Sequence, residues 1–117
     1  MKILFVVNPI AGKNKGKSLV PTINKIMEKS SYDYKIRVTN RPKDATFITK
    51  EALKYGFNVI VAVGGDGTIN EVATAILDMG KGSLGIVQGG TGNDLAKSLN
   101  IPKDPKEAIK LILKGKS

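Results

Sequence analysis

The chain contains no cysteine, no histidine and no tryptophan. Without cysteine there can be no disulfide. Without cysteine and histidine the thiolate and imidazole zinc sites and histidine-based acid–base catalysis are excluded as well. Aromatic residues are few, and no nucleic-acid-binding motif is recognisable, so nucleic acid is not an expected partner. No apolar run could span a membrane, and Ile3–Val7, which ends at Asn8-Pro9, is too short for a signal peptide. Acidic residues are outnumbered, and the net charge of +9 comes mostly from lysine. Such a balance suits nucleotide phosphates or an anionic membrane surface, and it equally describes a lysine-rich solvated exterior. A cytoplasmic protein, peripheral to membranes at most, is expected. Carboxylates, lysines, backbone dipoles and a hard cation remain to carry chemistry.

The 117 residues make one domain, 1–117, or part of one. A domain of this size buries roughly 65% of the surface its unfolded chain exposes, enough for a core. Ile3–Val7, Val59–Val63 and Leu84–Val87 are apolar runs, rich in β-branched residues, of the kind found in strands buried on both faces. Tyr32–Thr39 alternates instead, with Tyr34, Ile36 and Val38 on one side and Lys35, Arg37 and Thr39 on the other, as an edge strand does.

Helical periodicity falls between these runs. The first helix is expected to open at Ser18, with Pro21 in its first turn and Leu19, Val20, Ile23, Ile26 and Met27 as its stripe. A second should start at Asp44 as cap, bury Ala45, Ile48, Ala52 and Tyr55, and stop at Gly56. A third should start at Thr68, where Thr68-Ile-Asn-Glu71 has capping-box spacing, with Ile69, Val72, Ala73, Ile76 and Leu77 on its apolar side. Another is expected from the Thr91–Asp94 turn to Asn100. The last is predicted with Asp104 at N-cap, Pro105 at N1 and Glu107 at N3, ending at Gly115. Strands alternating with helices predict an α/β fold: a Rossmann-like three-layer parallel sheet with right-handed crossovers. With the alternating strand at an edge, the predicted sheet order is 2-1-3-4.

That topology brings three loops to the carboxyl edge of the sheet: Asn8–Lys17, Gly64–Thr68 and Gly89–Asp94. Two of them are glycine turns entering a helix, where backbone N–H groups and the helix dipole favour an anion. Asp66 lies between glycines, and a carboxylate beside phosphates implies a cation between them. Together these point to a polyphosphate site. A competing pattern is Ala11-Gly-Lys-Asn-Lys-Gly-Lys-Ser18, a relaxed P-loop in which Lys17 would hold phosphates and Ser18 magnesium. Lys13, Lys15 and Lys17 are each open to a phosphate role or to plain solvation. Glu71 and Asp94 read more readily as caps than as acids.

Asn8-Pro-Ile-Ala-Gly12, Gly64-Gly-Asp-Gly-Thr-Ile-Asn-Glu71 and Gly90-Thr-Gly-Asn-Asp94, in this order and spacing, resemble the catalytic domain of the diacylglycerol kinase family, to which bacterial lipid kinases and sphingosine kinases belong. The resemblance covers essentially the whole chain. It implies a lipid kinase that uses ATP and Mg²⁺ to phosphorylate a lipid hydroxyl. It further implies nucleotide contacts from Asn8, Pro9, Ile10, Ala11 and Gly12, from Gly64, Gly65, Asp66, Gly67, Thr68, Ile69 and Asn70, and from Thr39 and Thr91. Asp66 would serve phosphoryl transfer, touching the metal through water. Members continue into a second, mostly β domain that completes the cleft and supplies lipid-binding surface and a carboxylate base, so residues 1–117 correspond to the nucleotide-binding part. That part alone is expected to bind ATP weakly and to have little activity. The alternative of a different class is a non-catalytic, self-associating nucleotide-binding module.

Overall fold

A computed structural model describes residues 1–9, 11–88, 102 and 104–114, with the backbone alone for 11–15. Four strands form one parallel sheet: β1 (Lys2–Val7), β2 (Asp33–Val38), β3 (Val59–Gly64) and β4 (Ser83–Gln88), in the order β2-β1-β3-β4. The expected order 2-1-3-4 is the observed one. Helices α1 (Ala11–Glu28), α2 (Asp44–Lys54), α3 (Asp66–Met79) and α4 (Pro105–Leu113) cover both faces. On one face, α2 and α3 bury Ile48, Leu53, Ile69 and Val72 against Leu4, Val6, Ile60, Ala62 and Ile86. On the other, α1 and α4 bury Ile23, Met27, Ile109 and Ile112 against Ile3, Phe5, Val7, Val61, Val63 and Val87. Alternate residues of the central strands thus feed two separate cores, which is why those strands read as unbroken apolar runs.

β2 is half-covered, as an edge strand should be, with Tyr34 and Ile36 partly buried and Lys35 and Arg37 in solvent. Tyr34 anchors it. Its ring meets Phe5 edge-on at 6.4 Å between centroids, and its hydroxyl donates to Asn24 Oδ1 on α1 at 2.8 Å. The last helix starts as predicted: Asp104 accepts from the Lys106 N–H at 3.0 Å, and Pro105 occupies the first helical position. Gly56 and Gly80 take left-handed backbone angles, φ 93° and 68°, where α2 and α3 end. The Thr91–Asn100 helix and the Gly115 stop lie outside the described residues.

Several helix starts differ from expectation. α1 opens at Ala11 rather than Ser18, so Asn8–Lys17 is mostly helix and Pro21 sits in mid-helix instead of the first turn. Its early residues include two glycines and Asn14, which are poor helix formers, and packing overrides that propensity. Gly16 is buried directly against the backbone of Asn8, and the Lys17 N–H reaches back to the Pro9 carbonyl at 3.3 Å. α3 is capped by Gly65 without a side-chain bond, so Thr68 is its third residue and not its cap, and no Thr68–Glu71 capping box forms. α2 follows Lys43, whose φ of 70° makes the corner, and Asp44 is its first residue. The Asp44 carboxylate instead accepts from the Asn40 N–H at 2.7 Å, closing the loop before the helix. Ala45, Ile48, Ala52, Ile69 and Val72 are buried as expected, joined by Thr49, Leu53 and Ala75, whereas Tyr55 and Leu77, also assigned to apolar faces, are exposed. Helices that contact both the sheet and each other present a wider inner face than a single stripe.

Gly16 offers a sharp test of the packing under α1. A Cβ there would overlap the Asn8 carbonyl oxygen, a backbone atom that cannot swing aside. Gly16→Ala is expected to cost about 2–3 kcal/mol in urea unfolding, although alanine is intrinsically the better helix former.

Candidate nucleotide site

The site grows out of the sheet register. Val38, Val7, Val63 and Val87 are mutual partners across the four strands and form one row near their carboxyl ends. The row after it holds Thr39, Asn8, Gly64 and Gln88. The Thr39 N–H donates to the Val7 carbonyl at 2.9 Å, the Asn8 N–H donates to the Val63 carbonyl at 2.9 Å, and Gly64 pairs with Gln88. Each chain therefore leaves the sheet only after its first site residue has been fixed by a ladder bond. The valine row faces the α1/α4 core, so pleat alternation turns Asn8 and Thr39 toward α2 and α3.

There they border a cleft of about 310 Å³ lined by Asn8, Pro9, Thr39, Asn40, Arg41, Pro42, Ala45, Thr68 and Glu71. Asn8 Nδ2 donates to Thr68 Oγ1 at 3.4 Å, linking the end of β1 to the first turn of α3. Thr39 Oγ1 donates to the Val7 carbonyl at 3.4 Å. The N-termini of α1, α2 and α3 all lie at this edge, so their unpaired N–H groups and dipoles favour negative charge there.

The turn between β3 and α3 divides its glycines by function. Gly64 is enclosed: a Cβ would stand 2.8 Å from Thr68 Oγ1 and 3.3 Å from the Asn8 Cβ. Gly65 and Gly67 would meet nothing within 4 Å. Their bare backbone faces open space beside Asp66, an exposed residue in the first turn of a 14-residue helix. A phosphate chain could lie against that backbone, and a cation held by phosphate oxygens could reach the Asp66 carboxylate. Among the described residues, no cluster of three acidic side chains could hold a metal without such help.

Asn8, Pro9, Thr39 and Thr68 thus meet at one cleft, and Gly64, Gly65, Asp66 and Gly67 form the turn beside it. Thr39, which no glycine motif marks in the sequence, is brought there by its ladder bond alone. The Ile69 side chain is 1% exposed inside the α2/α3 core, so any contact from it must come from its backbone. Asn70 is exposed on α3. Ala11 and Gly12 open α1, while Ile10 and Thr91 lie outside the described residues. Lys17 and Ser18 are exposed near the end of the second turn of α1, and the backbone from 11 to 18 is helical. A P-loop has to wrap phosphate before its helix begins, so this segment does not form one.

Glu71 is the residue that sequence reasoning misjudged. It lines the cleft, and its Oε1 is buried without a hydrogen-bond partner among the described residues. A buried acceptor left unpaired is costly, and a ligand hydroxyl or amino group in the cleft would satisfy it. Capping-box spacing hid this placement, because a glutamate three residues after a threonine has a ready structural explanation. Arg41, with its side chain 82% exposed, and Asn40 also reach the cleft, on a loop that carries no motif.

The two glycine environments predict opposite outcomes. Gly64→Ala should lower stability by about 1–3 kcal/mol, because Thr68 and Asn8 must give way. Gly65→Ala should change stability by less than about 1 kcal/mol yet weaken nucleotide binding. Denaturation curves and titrations of both variants check the pair.

Comparison with known proteins agrees with this geometry. The family described as the diacylglycerol kinase catalytic domain matches residues 2–117. The chain is 34% identical over 114 residues to a diacylglycerol kinase of Staphylococcus carnosus, covering 97% of this chain and 37% of that protein. It is 36% identical over 110 residues to one of Staphylococcus haemolyticus, covering 93% of this chain and 33% of that protein. The crystal structure of a diacylglycerol kinase from Bacillus anthracis superimposes with a TM-score of 0.78 at 32% identity, covering 97% of this chain and 42% of that one. The chain therefore spans only about a third of the length of these curated relatives. With the family match spanning residues 2–117 and the fold superimposing on that of a relative, the chain belongs to the diacylglycerol kinase catalytic domain family.

Proposed function

We propose that this chain is the nucleotide-binding part of a lipid kinase that transfers the γ-phosphoryl group of ATP to a lipid hydroxyl. The carrying observation is the cleft itself. Asn8, Thr39, Thr68 and the Glu71 carboxylate oxygen, unpaired among the described residues, converge beside a bare glycine turn that bears Asp66. The relatives named diacylglycerol kinase support the choice of acceptor class.

In this reading the phosphates lie along the Gly65–Gly67 backbone at the start of α3, and the nucleoside occupies the cleft. Glu71 accepts a hydrogen bond from it, and Thr39 and Asn8 border it. The acceptor oxygen forms a bond to the γ-phosphorus as the bond to the β–γ bridging oxygen breaks, and ADP leaves. The hydroxyl proton passes to a base outside the described residues. Phosphoryl transfer needs alignment and charge neutralisation more than covalent help, and three helix N-termini aimed at one edge suit it. Mg²⁺, when bound with the nucleotide, would supply further neutralisation, with Asp66 as the side chain placed to hold it through water. By itself the domain has no enclosed acceptor pocket among its described residues, so weak ATP binding and little lipid phosphorylation are expected of it.

Calorimetric titration tests the assignment. With Mg²⁺, Asp66→Ala should weaken ATP binding about tenfold; without Mg²⁺ it should bind as well as wild type or better, because a repulsive charge has gone. Glu71→Gln should keep its fold and weaken ATP binding about tenfold or more, through loss of a charge-assisted acceptor. Lys17→Ala should stay within about twofold of wild type, its charge being exposed and screened. Loss of binding in Lys17→Ala with wild-type affinity in Asp66→Ala would overturn the reading, and so would robust kinase activity in Asp66→Ala.

A further inference from the structure

Residues 40–43, between Thr39 and α2, carry no sequence motif, yet Asn40, Arg41 and Pro42 line the cleft. The segment is tied at both ends. Thr39 gives its N–H and its hydroxyl to the Val7 carbonyl, at 2.9 and 3.4 Å. At the other end the Asp44 N–H closes a turn onto the Arg41 carbonyl at 3.2 Å. Lys43, at φ 70° and ψ −1°, has the angles of the second central residue of a type II turn, a position that glycine or asparagine normally fills. A residue with a long side chain keeps a left-handed backbone only where its surroundings over-determine it.

Asp44 is the side chain that closes this segment. An aspartate here could cap α2, but the N-cap is Lys43, which makes no side-chain bond. The Asp44 carboxylate turns back out of the helix instead. Its Oδ2 accepts from the Asn40 N–H at 2.7 Å, as short as a charge-assisted bond, and its Oδ1 stands 3.8 Å from Arg41 Nε. The Asp44 side chain is 20% exposed and that of Arg41 82%, so the ion pair adds little and the Asn40 bond is the latch. Asp44 does not line the cleft and must act through Asn40 and Arg41. We propose that Asp44 is the positioning residue for the nucleoside side of the cleft. Its carboxylate holds Asn40, Arg41 and Pro42 as a preformed rim for the base and sugar, while phosphates at Gly65–Gly67 are seated without it. The inference rests on the proposed nucleotide reading of the cleft. A rim ordered before the ligand arrives spares binding the cost of ordering it.

Calorimetry on the purified chain with Mg²⁺, comparing ATP with inorganic tripolyphosphate, separates positioning from plain loss of structure. Tripolyphosphate offers the phosphates without the nucleoside. Asp44→Ala should weaken ATP binding about tenfold. The same variant should bind tripolyphosphate within about twofold of wild type or more tightly, because removing an acidic group favours an anion. Asp44→Ser, which suits a helix start but falls one bond short of Asn40, should behave alike and serves if the alanine variant does not fold. Asp44→Asn keeps an acceptor for the Asn40 N–H and should lose no more than about threefold on ATP. Unchanged ATP binding in Asp44→Ala, equal losses of both ligands, or Asp44→Asn as impaired as Asp44→Ala would each overturn the proposal. Asp66→Ala, which should weaken both ligands, separates the two readings. If it does so while Asp44→Ala weakens neither or both alike, the latch falls and the nucleotide site stands. If Asp44→Ala weakens ATP selectively while Asp66→Ala weakens nothing, the phosphate placement falls and the latch stands. No binding of either ligand by a folded wild type overturns both.

Discussion

Val7 and Val63 each give a backbone carbonyl to the first residue after the neighbouring or adjoining strand, and the cleft depends on those two bonds. The Val7 carbonyl takes the Thr39 N–H and the Val63 carbonyl takes the Asn8 N–H, each at 2.9 Å. Buried backbone donors and acceptors must be paired, so strands packed on both faces cannot slip without losing these bonds and exchanging core residues for polar ones. The valine row is therefore pinned, and the row beyond it is carried as a rigid extension of the sheet. Gly64 is the last residue of β3, and Thr39 and Asn8 acquire equally definite positions although both belong to connections, which are ordinarily the freer parts of a fold.

The helices convert that row into a site. Gly16 lets α1 lie directly on Asn8, and Gly64 lets Thr68 lie directly on the end of β3. In both places the absence of a side chain brings backbone close to a neighbouring segment, whereas Gly65 and Gly67 leave open space. One short glycine cluster thus does two kinds of work: its first member packs inward and the later two remain accessible. The same division explains why Ile69, in the middle of the motif, belongs to the core while Asp66 and Asn70 stay exposed.

Electrostatics follows from the parallel topology. Every crossover helix begins at the carboxyl edge, so α1, α2 and α3 direct their positive ends toward one region. Those ends would favour an anion without help from the Lys17 side chain. Lys17 falls in a phosphate-binding pattern by sequence and on a solvated helix face in the structure.

The sequence alone determined the α/β class, the four strands, the sheet order and the motifs that ally the chain with its family. Those features are written in periodicity, in the amphipathic pattern that sends β2 to an edge, and in glycine spacing, all of them local signals. Tertiary structure decided where α1 begins, because packing of Gly16 on Asn8 outweighs the poor helix propensity of Gly12, Asn14 and Gly16. It decided that Thr39 and Arg41 reach the cleft, since their placement comes from the pairing of β2 with β1 and from the corner at Lys43. It also separated Glu71 from the cap its spacing suggested. A threonine–glutamate pair looks the same in sequence whether the glutamate closes a helix end or faces a ligand, and only the start of α3 at Asp66 distinguishes the two.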